Sequence, residues 1–257
     1  MTHLLKETVG PVMFLTLNRP ESLNAFSEEM VSLLKAGLHE ADASSEIKVI
    51  VLKGAGRSFG AGGDIKSMAM ATPDHVYEHL GHFNECILAI KAIEKPVIAV
   101  VHGFAAGAAF NLALACDFIL ASETSQFALS FSQVGLISDG GGTYFLPKLL
   151  GPHLAKQFLF SAEPIPAQRL YDAGVISSLV PQEQLEETAT AYAMKLAHGP
   201  TLAYGKMKKL IDASYHTSLE DALEQERLTQ KMMAMTSDHK EGITAFAEKR
   251  KPAFVGK

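Results

Sequence analysis

The stretch Gly103–Asp117, GFAAGAAFNLALACD, decides how the chain folds. The apolar run before it, Pro96–Val101, predicts a buried strand, and Asn111–Ala115 predicts a helix. Apart from Phe104, the residues between them, Gly103–Ala109, are all glycine or alanine. A strand, a small-residue turn and a helix start bring unpaired N–H groups to one point, where the helix dipole favours negative charge. We interpret Ala108 as a backbone donor of an oxyanion hole; the alternative is a tight strand–helix contact that needs small residues.

Outward from this stretch, strands and helices alternate along most of the chain. Short apolar runs such as Val12–Leu17 predict strands, and Ser27 and Pro73 are each placed to begin a helix. The last part of the chain has a helical pattern throughout. This order indicates an α/β fold, with a core over residues 1–197 and a C-terminal helical region over residues 198–257.

Composition limits the classes of function that the chain can have. Its 257 residues are 47% hydrophobic, which suits one large domain with a sizeable core. The net charge of -5, without a block of basic residues, argues against nucleic acid or an anionic membrane as partner. No apolar run has membrane-spanning length, and an early strand leaves no room for a signal peptide. Cys86 and Cys116 have neither metal-site nor disulfide spacing, so we expect a cytoplasmic protein without a metal.

A second small-residue loop, GAGRSFGAGGDIK at Gly54–Lys66, follows another predicted strand. It matches neither the phosphate-binding GxxxxGK[ST] pattern nor a GxGxxG that opens a helix. It does supply free backbone N–H groups, and two donors from different loops make an oxyanion hole for a thioester. Asp64 is either a catalytic acid or the N-cap of a following helix, and we favour the N-cap.

Three motifs in this order resemble the enoyl-CoA hydratase/isomerase (crotonase) superfamily: Ser58–Lys66, His102–Ala108 and Gly140–Thr143. The resemblance covers nearly the whole chain, from Asn18-Arg19-Pro20 to Glu241–Arg250. It implies a crotonase-like spiral of ββα units. It also implies a C-terminal helical region used for trimerisation, and hence a homotrimer or a hexamer built as a dimer of trimers.

The resemblance further implies an acyl-CoA thioester as substrate, with coenzyme A as part of it and no separate cofactor. The thioester oxygen is expected between the N–H groups of Gly63 and Ala108, where Ala108 replaces a commoner glycine. The adenine and phosphate end is expected near Leu23, Ala61 and Lys66, with Phe246 and Lys249 supplied by a neighbouring subunit. The other expected substrate contacts are Ala25, Asp64, Ile65, Asn111, Phe131 and Gly140.

The hydratases of this family hold and activate a water molecule with two glutamates. The motif positions of those glutamates are occupied here by Asn111 and Phe131. Neither side chain can act as an acid or base near neutral pH. The sequence therefore predicts that the hydratase pair is missing.

One carboxylate remains in the motif, Asp139, at the position where some isomerases of the family carry Asp or Glu. Its surroundings, GLISDGGGTYFLPKL at Gly135–Leu149, are similar to Δ3,Δ2-enoyl-CoA isomerases and most to the ring-opening isomerase of phenylacetate breakdown. One base suffices for a 1,3-proton shift, so an enoyl-CoA isomerase is the leading hypothesis. The alternative for Asp139 is a helix cap or turn residue. The alternatives for the chain are a hydratase or lyase, and a non-catalytic acyl-CoA-binding protein.

Overall fold

A computed structural model describes residues 2–64 and 71–257. These residues form two β-sheets with helices packed around them. The larger sheet consists of β1 (Leu4–Val9), β2 (Val12–Leu17), β3 (Val49–Gly54), β4 (Val97–Val101), β6 (Phe118–Ser122) and β9 (Ser178–Val180). The smaller sheet consists of β5 (Phe104–Ala106), β7 (Gln126–Ala128) and β8 (Ile165–Pro166).

The strand order of the larger sheet is β1-β2-β3-β4-β6-β9. Strand β1, which the sequence patterns did not predict, pairs antiparallel with β2; from β2 to β9 every pairing is parallel. In the smaller sheet β5 pairs parallel with β7, and β7 pairs antiparallel with β8. The chain thus moves from the large sheet to the small one between β4 and β5.

The described helices are α1 (Glu28–Ala43), α2 (Pro73–Ala92), α3 (Ala108–Ala115), α4 (Gly142–Ser161), α5 (Ala167–Asp172), α6 (Leu185–Ala197), α7 (Thr201–Ser214), α8 (Leu219–Met233) and α9 (Ser237–Ala247). The predicted cap at Ser27 is confirmed, since its side chain accepts from the Met30 amide. The predicted helix start at Pro73 is also confirmed, and the preceding Thr72 side chain accepts from the His75 amide. Helix α4 is interrupted at Gly151, where φ is 77°. None of the described helices is long and apolar enough to cross a membrane.

The strands β2, β3, β4 and β6 are buried on both faces, and successive side chains of each point to opposite faces. On β2, Met13 and Leu15 face a core shared with α1, α2 and α3. Val12 and Phe14 face a second cluster, which Ala189 and other residues of α6 cover. The α/β assignment and the helical C-terminal part are therefore confirmed, whereas the domain boundary after residue 197 stays a prediction.

The decisive stretch folds as predicted at its two ends: strand β4 and helix α3 are present, and α3 begins at Ala108, three residues before the predicted start at Asn111. Between them, where a turn was predicted, the chain forms the short strand β5, which pairs with β7. Every residue of α3 is buried. A side chain at Gly103, where φ is +59°, would overlap the Arg57 carbonyl oxygen. The turn is therefore a tight packing contact, as the alternative interpretation required, and also a helix start at the edge of a cavity.

Candidate active site

Two loops meet next to the start of α3. The Ala106 amide donates to the Gly60 carbonyl at 2.9 Å, and the Gly60 amide donates to the Phe104 carbonyl at 3.1 Å. A Cβ atom at Gly62, where φ is +83°, would lie 2.6 Å from the Ala106 oxygen and 2.8 Å from the Ala108 nitrogen. Only a glycine fits this close approach, which brings the amides of Gly63 and Ala108 to the same place.

Gly63 and Ala108 both line a cavity of about 310 Å³. Ala108 is the first residue of α3, so its N–H has no partner inside the helix. Within residues 2–64 and 71–257, neither the Gly63 nor the Ala108 amide donates to a protein acceptor. Two free amide donors on a cavity wall can hold a carbonyl oxygen that gains negative charge.

Asp139 lies on the wall of the same cavity, in the glycine turn that leads into α4. The helix begins at Gly142, and its N-cap is Gly141 with no side-chain cap bond. Asp139 therefore does not cap α4. The Oδ1 atom of Asp139 is buried without a partner among the described residues. Burial raises the pKa of this carboxyl to about 6, although a hydrogen bond from Asn111 opposes the shift.

Asn111 is fully buried on α3 and holds the turn that carries Asp139. Its side-chain amide donates to the Ser138 hydroxyl at 3.0 Å and to the Asp139 main-chain carbonyl at 2.8 Å. A side chain at Gly142 would overlap the Ser138 hydroxyl, so a glycine is needed there as well. A contact between Asn111 and substrate stays a prediction, whereas its contact with the turn is observed.

The aromatic and glycine residues around Asp139 fix the shape of the turn. Gly140 has φ +49°, and a Cβ there would lie 2.6 Å from Cε1 of Phe83. Phe131 lies in a 3₁₀ turn at Ser130–Val134, with its ring 3.5 Å from where a Cβ of Gly107 would be. Phe131 therefore supports the Gly107–Ala108 turn from outside the cavity. The substrate contacts expected of Phe131 and Gly140 stay predictions.

Main-chain carbonyls of residues expected near the coenzyme accept hydrogen bonds beside the site. The Ala61 amide donates to the Leu23 carbonyl at 2.9 Å, and Arg19 donates to the Ala25 carbonyl at 2.8 Å. Arg19 also pairs with Asp64 at 3.3 Å, and Asp64 lines the cavity. Ile65 and Lys66, and with them the helix start that Asp64 was expected to cap, lie outside the described residues. The coenzyme contacts themselves stay predictions.

Phe246 and Lys249 are at the other end of the chain, on and just after α9. Phe246 is 87% exposed, and Lys249 is exposed with φ +55°. Neither residue lines the cavity of its own chain among the described residues. This arrangement agrees with a role toward another subunit, which stays a prediction.

Sequence reasoning did not assign four titratable residues of the cavity to the site: Glu28, Glu29, His75 and His79. His75 and His79 lie one turn apart at the start of α2, and that spacing was the available signal. The neighbouring His82 and Glu85 do not line the cavity; Glu85 pairs with Lys35 at 2.7 Å.

Comparison with known proteins agrees with the fold. A profile of the enoyl-CoA hydratase/isomerase family matches residues 7–257. Over the full length of both chains, the sequence is 35% identical to 1,2-epoxyphenylacetyl-CoA isomerase and to 2,3-dehydroadipyl-CoA hydratase, both from Escherichia coli K12. The structure superimposes on enoyl-CoA hydratase from Bacillus anthracis with a TM-score of 0.95 at 30% identity, covering 99% of this chain and 100% of the other.

The sheets, the helices and the superposition define an α/β protein of the crotonase fold. The chain belongs to the enoyl-CoA hydratase/isomerase family. Its relatives carry both isomerase and hydratase names. Family membership therefore establishes the class of enzyme and leaves the particular reaction to the chemistry of the site.

Proposed function

We propose that the chain is an enoyl-CoA isomerase that moves a carbon–carbon double bond in an acyl-CoA thioester, with Asp139 as its single base. The observation that carries this proposal is that Asp139 lines the same cavity as Gly63 and Ala108. A carboxyl with a pKa of about 6 is ionised at neutral pH and still basic enough to accept a proton.

In this mechanism the Asp139 carboxylate removes a proton from the α-carbon of a 3-enoyl thioester. The electron pair of the broken C–H bond moves toward the thioester oxygen, and the enolate oxygen accepts hydrogen bonds from the Gly63 and Ala108 amides. Loss of one such donor typically costs about 3 kcal/mol of transition-state stabilisation. Protonated Asp139 then returns the proton to the γ-carbon, which leaves the 2-enoyl thioester and regenerates the carboxylate.

The residues at the two hydratase positions support this choice. Asn111 directs its amide at the main chain of the turn, and Phe131 packs behind the Gly107–Ala108 turn. Neither can activate a water molecule. The observation that favours a hydratase as second candidate is that Glu28 and Glu29 also line the cavity, so a carboxylate outside the expected motif positions is available there.

The deciding experiment supplies 3-enoyl-CoA and 2-enoyl-CoA in separate assays and identifies the products by chromatography. We expect 2-enoyl-CoA from the first substrate, and we expect Asp139→Asn to slow its formation by ~10²–10⁴ because Asn cannot accept the proton. Asp74→Asn, an exposed aspartate in the first turn of α2, is the matched control and should keep the wild-type rate.

Two other outcomes would contradict the proposal. Formation of 3-hydroxyacyl-CoA from 2-enoyl-CoA, abolished by Glu28→Gln and retained by Asp139→Asn, would establish the hydratase. Tight binding of both thioesters without turnover would indicate a non-catalytic acyl-CoA-binding protein.

We also propose that the chain acts as a homotrimer or hexamer. The support is the set of large apolar side chains that α8 and α9 leave exposed in a single chain: Leu219, Leu223, Leu228, Met232, Ile243 and Phe246. Burial of such surface between identical chains is a common source of stable association.

A further inference from the structure

The cavity has a polar end that the isomerisation does not use. Helix α2 runs along its wall and presents Phe83, His79 and His75 at intervals of four residues. Phe83 packs against Gly140, next to Asp139, and its ring is 5.0 Å from that of Phe26. At 1.5 Å per helical residue, His79 is about 6 Å and His75 about 12 Å from Phe83 along the helix axis.

An acyl chain that extends from Asp139 along α2 therefore meets apolar side chains first and polar ones later. Leu80 and Val76 line the cavity beside the histidines, and Phe83 lines it next to Asp139. Glu28, from the first turn of α1, lies against His75, with Oε1 3.4 Å from Nε2 of His75. The polar end is thus built by the first turn of α1 and the first two turns of α2.

Two carboxyl groups, Glu28 and Glu29, lie at this end of the cavity, each beside a histidine. Glu28 lies against His75, and Glu29 lies 3.4 Å from Nδ1 of His3. An anionic chain end would approach Glu28, Glu29 and Asp139, which line the same cavity, and would be repelled by them. A neutral group does not meet this repulsion.

His79 is the side chain at this end with unused hydrogen-bonding capacity. In the described part of the chain its ring nitrogens have no hydrogen-bond partner, and its contact with His75 is a stacked pair with ring centres 6.5 Å apart. Burial lowers the pKa of His79, as do His75 and His82, while Glu28 opposes the shift. A neutral imidazole offers one N–H donor and one nitrogen acceptor, which is the complement of a hydroxyl group.

We infer that the acyl group of the substrate carries a neutral oxygen function, such as a hydroxyl, which hydrogen-bonds to His79 at the end of the cavity formed with Glu28 and His75. This inference rests on the proposed function in that it takes the cavity as the acyl site. A plain hydrocarbon end would remove water from the His79 ring without replacing its hydrogen bonds, which is unfavourable.

The test measures binding rather than turnover, so it does not depend on which reaction the site performs. The probes are three saturated acyl-CoA thioesters of equal chain length that differ only in the end group, which is methyl, hydroxymethyl or carboxylate. The chain length is chosen so that the end group lies about 6 Å past Phe83, at the level of His79. Calorimetry should give the hydroxymethyl thioester about tenfold tighter binding than the methyl one, as expected for one hydrogen bond. The carboxylate thioester should bind more weakly than the hydroxymethyl thioester.

Two variants test whether His79 is responsible for the preference for the hydroxymethyl thioester. His79→Leu should bring the ratio of the hydroxymethyl and methyl dissociation constants close to one. His82→Leu, on the same helix but exposed and outside the cavity lining, is the matched control and should keep the tenfold ratio. Equal binding of the two thioesters by the wild type, preference for the carboxylate, or an unchanged ratio in His79→Leu would each overturn the inference. Failure to bind any of the three thioesters would instead overturn the acyl-CoA function itself.

Discussion

The side-chain amide of Asn111 donates a 2.8 Å hydrogen bond to the main-chain carbonyl of Asp139. The same nitrogen donates to the Ser138 hydroxyl, so one buried side chain on α3 holds two consecutive residues of the turn. The position where the family's hydratases are expected to carry a glutamate is thus used here to fix the turn that carries the proposed base.

Replacement of Asn111 by alanine should affect both stability and catalysis. The Asp139 carbonyl and the Ser138 hydroxyl would lose their donor in a buried site, which costs about 1–3 kcal/mol. We expect a lower melting temperature and a fall in kcat that exceeds any rise in KM. Ser138→Ala, which removes only one of the two acceptors, should have a smaller effect on kcat. A wild-type kcat in Asn111→Ala would show that the bond serves folding alone.

The raised pKa of Asp139 predicts a specific pH profile. Because the base acts as a carboxylate, kcat/KM should be level above pH 7 and should fall about tenfold per unit at pH values below the pKa of about 6. A level profile down to pH 4.5, in the absence of unfolding, would exclude Asp139 as the base.

The same pKa predicts how stability depends on pH. The folded pKa lies above that of the unfolded chain, so the folded state binds more protons between them and gains stability as pH falls through about 6. Asp139→Asn removes the buried charge, so its melting temperature should be at or above that of the wild type at pH 8. The difference should shrink as the pH falls below 6, and a lower melting temperature for the variant at pH 8 would contradict this account.

The approach of the two loops predicts a strong effect of a single methyl group at Gly62. Gly62→Ala would place Cβ against the Ala106 oxygen and the Ala108 nitrogen and should displace one of the two amide donors, reducing kcat at least tenfold. Gly174→Ala is the matched control, since Gly174 also has a positive φ of +76° but open space around its Cβ position. It should show only the backbone strain of about 1–2 kcal/mol, with normal kcat.

Association of the chain can be tested directly. Light scattering at micromolar concentration should give the mass of a trimer or hexamer, and a monomer would contradict the proposal. If Phe246 contacts coenzyme A across a subunit boundary, Phe246→Ala should raise KM for the thioester while kcat changes little. Tyr77→Ala is the control: it truncates an exposed aromatic residue on a different helix, α2, and should leave KM unchanged.

The sequence by itself determined most of the core elements and the motif residues, because both depend on local patterns, but it missed the strands β1 and β5. Each of these patterns reflects the conformation of a short segment: the apolar runs at β2 and β4, the helix-start residues Ser27 and Pro73, and the small residues before α3. The choice of Asp139 came from its place in the motif.

Only the tertiary structure decided the environment of that carboxyl and the composition of the cavity. The pKa of Asp139 depends on burial, which arises when α3 and the glycine turn pack together. Glu28 and His79 share a cavity because the first turn of α1 and the first two turns of α2 meet in space, although the two segments are far apart in sequence. Which residues come together in a cavity, and how far a carboxyl is removed from water, depend on distances through space. The local periodicity of the sequence carries no information about those distances.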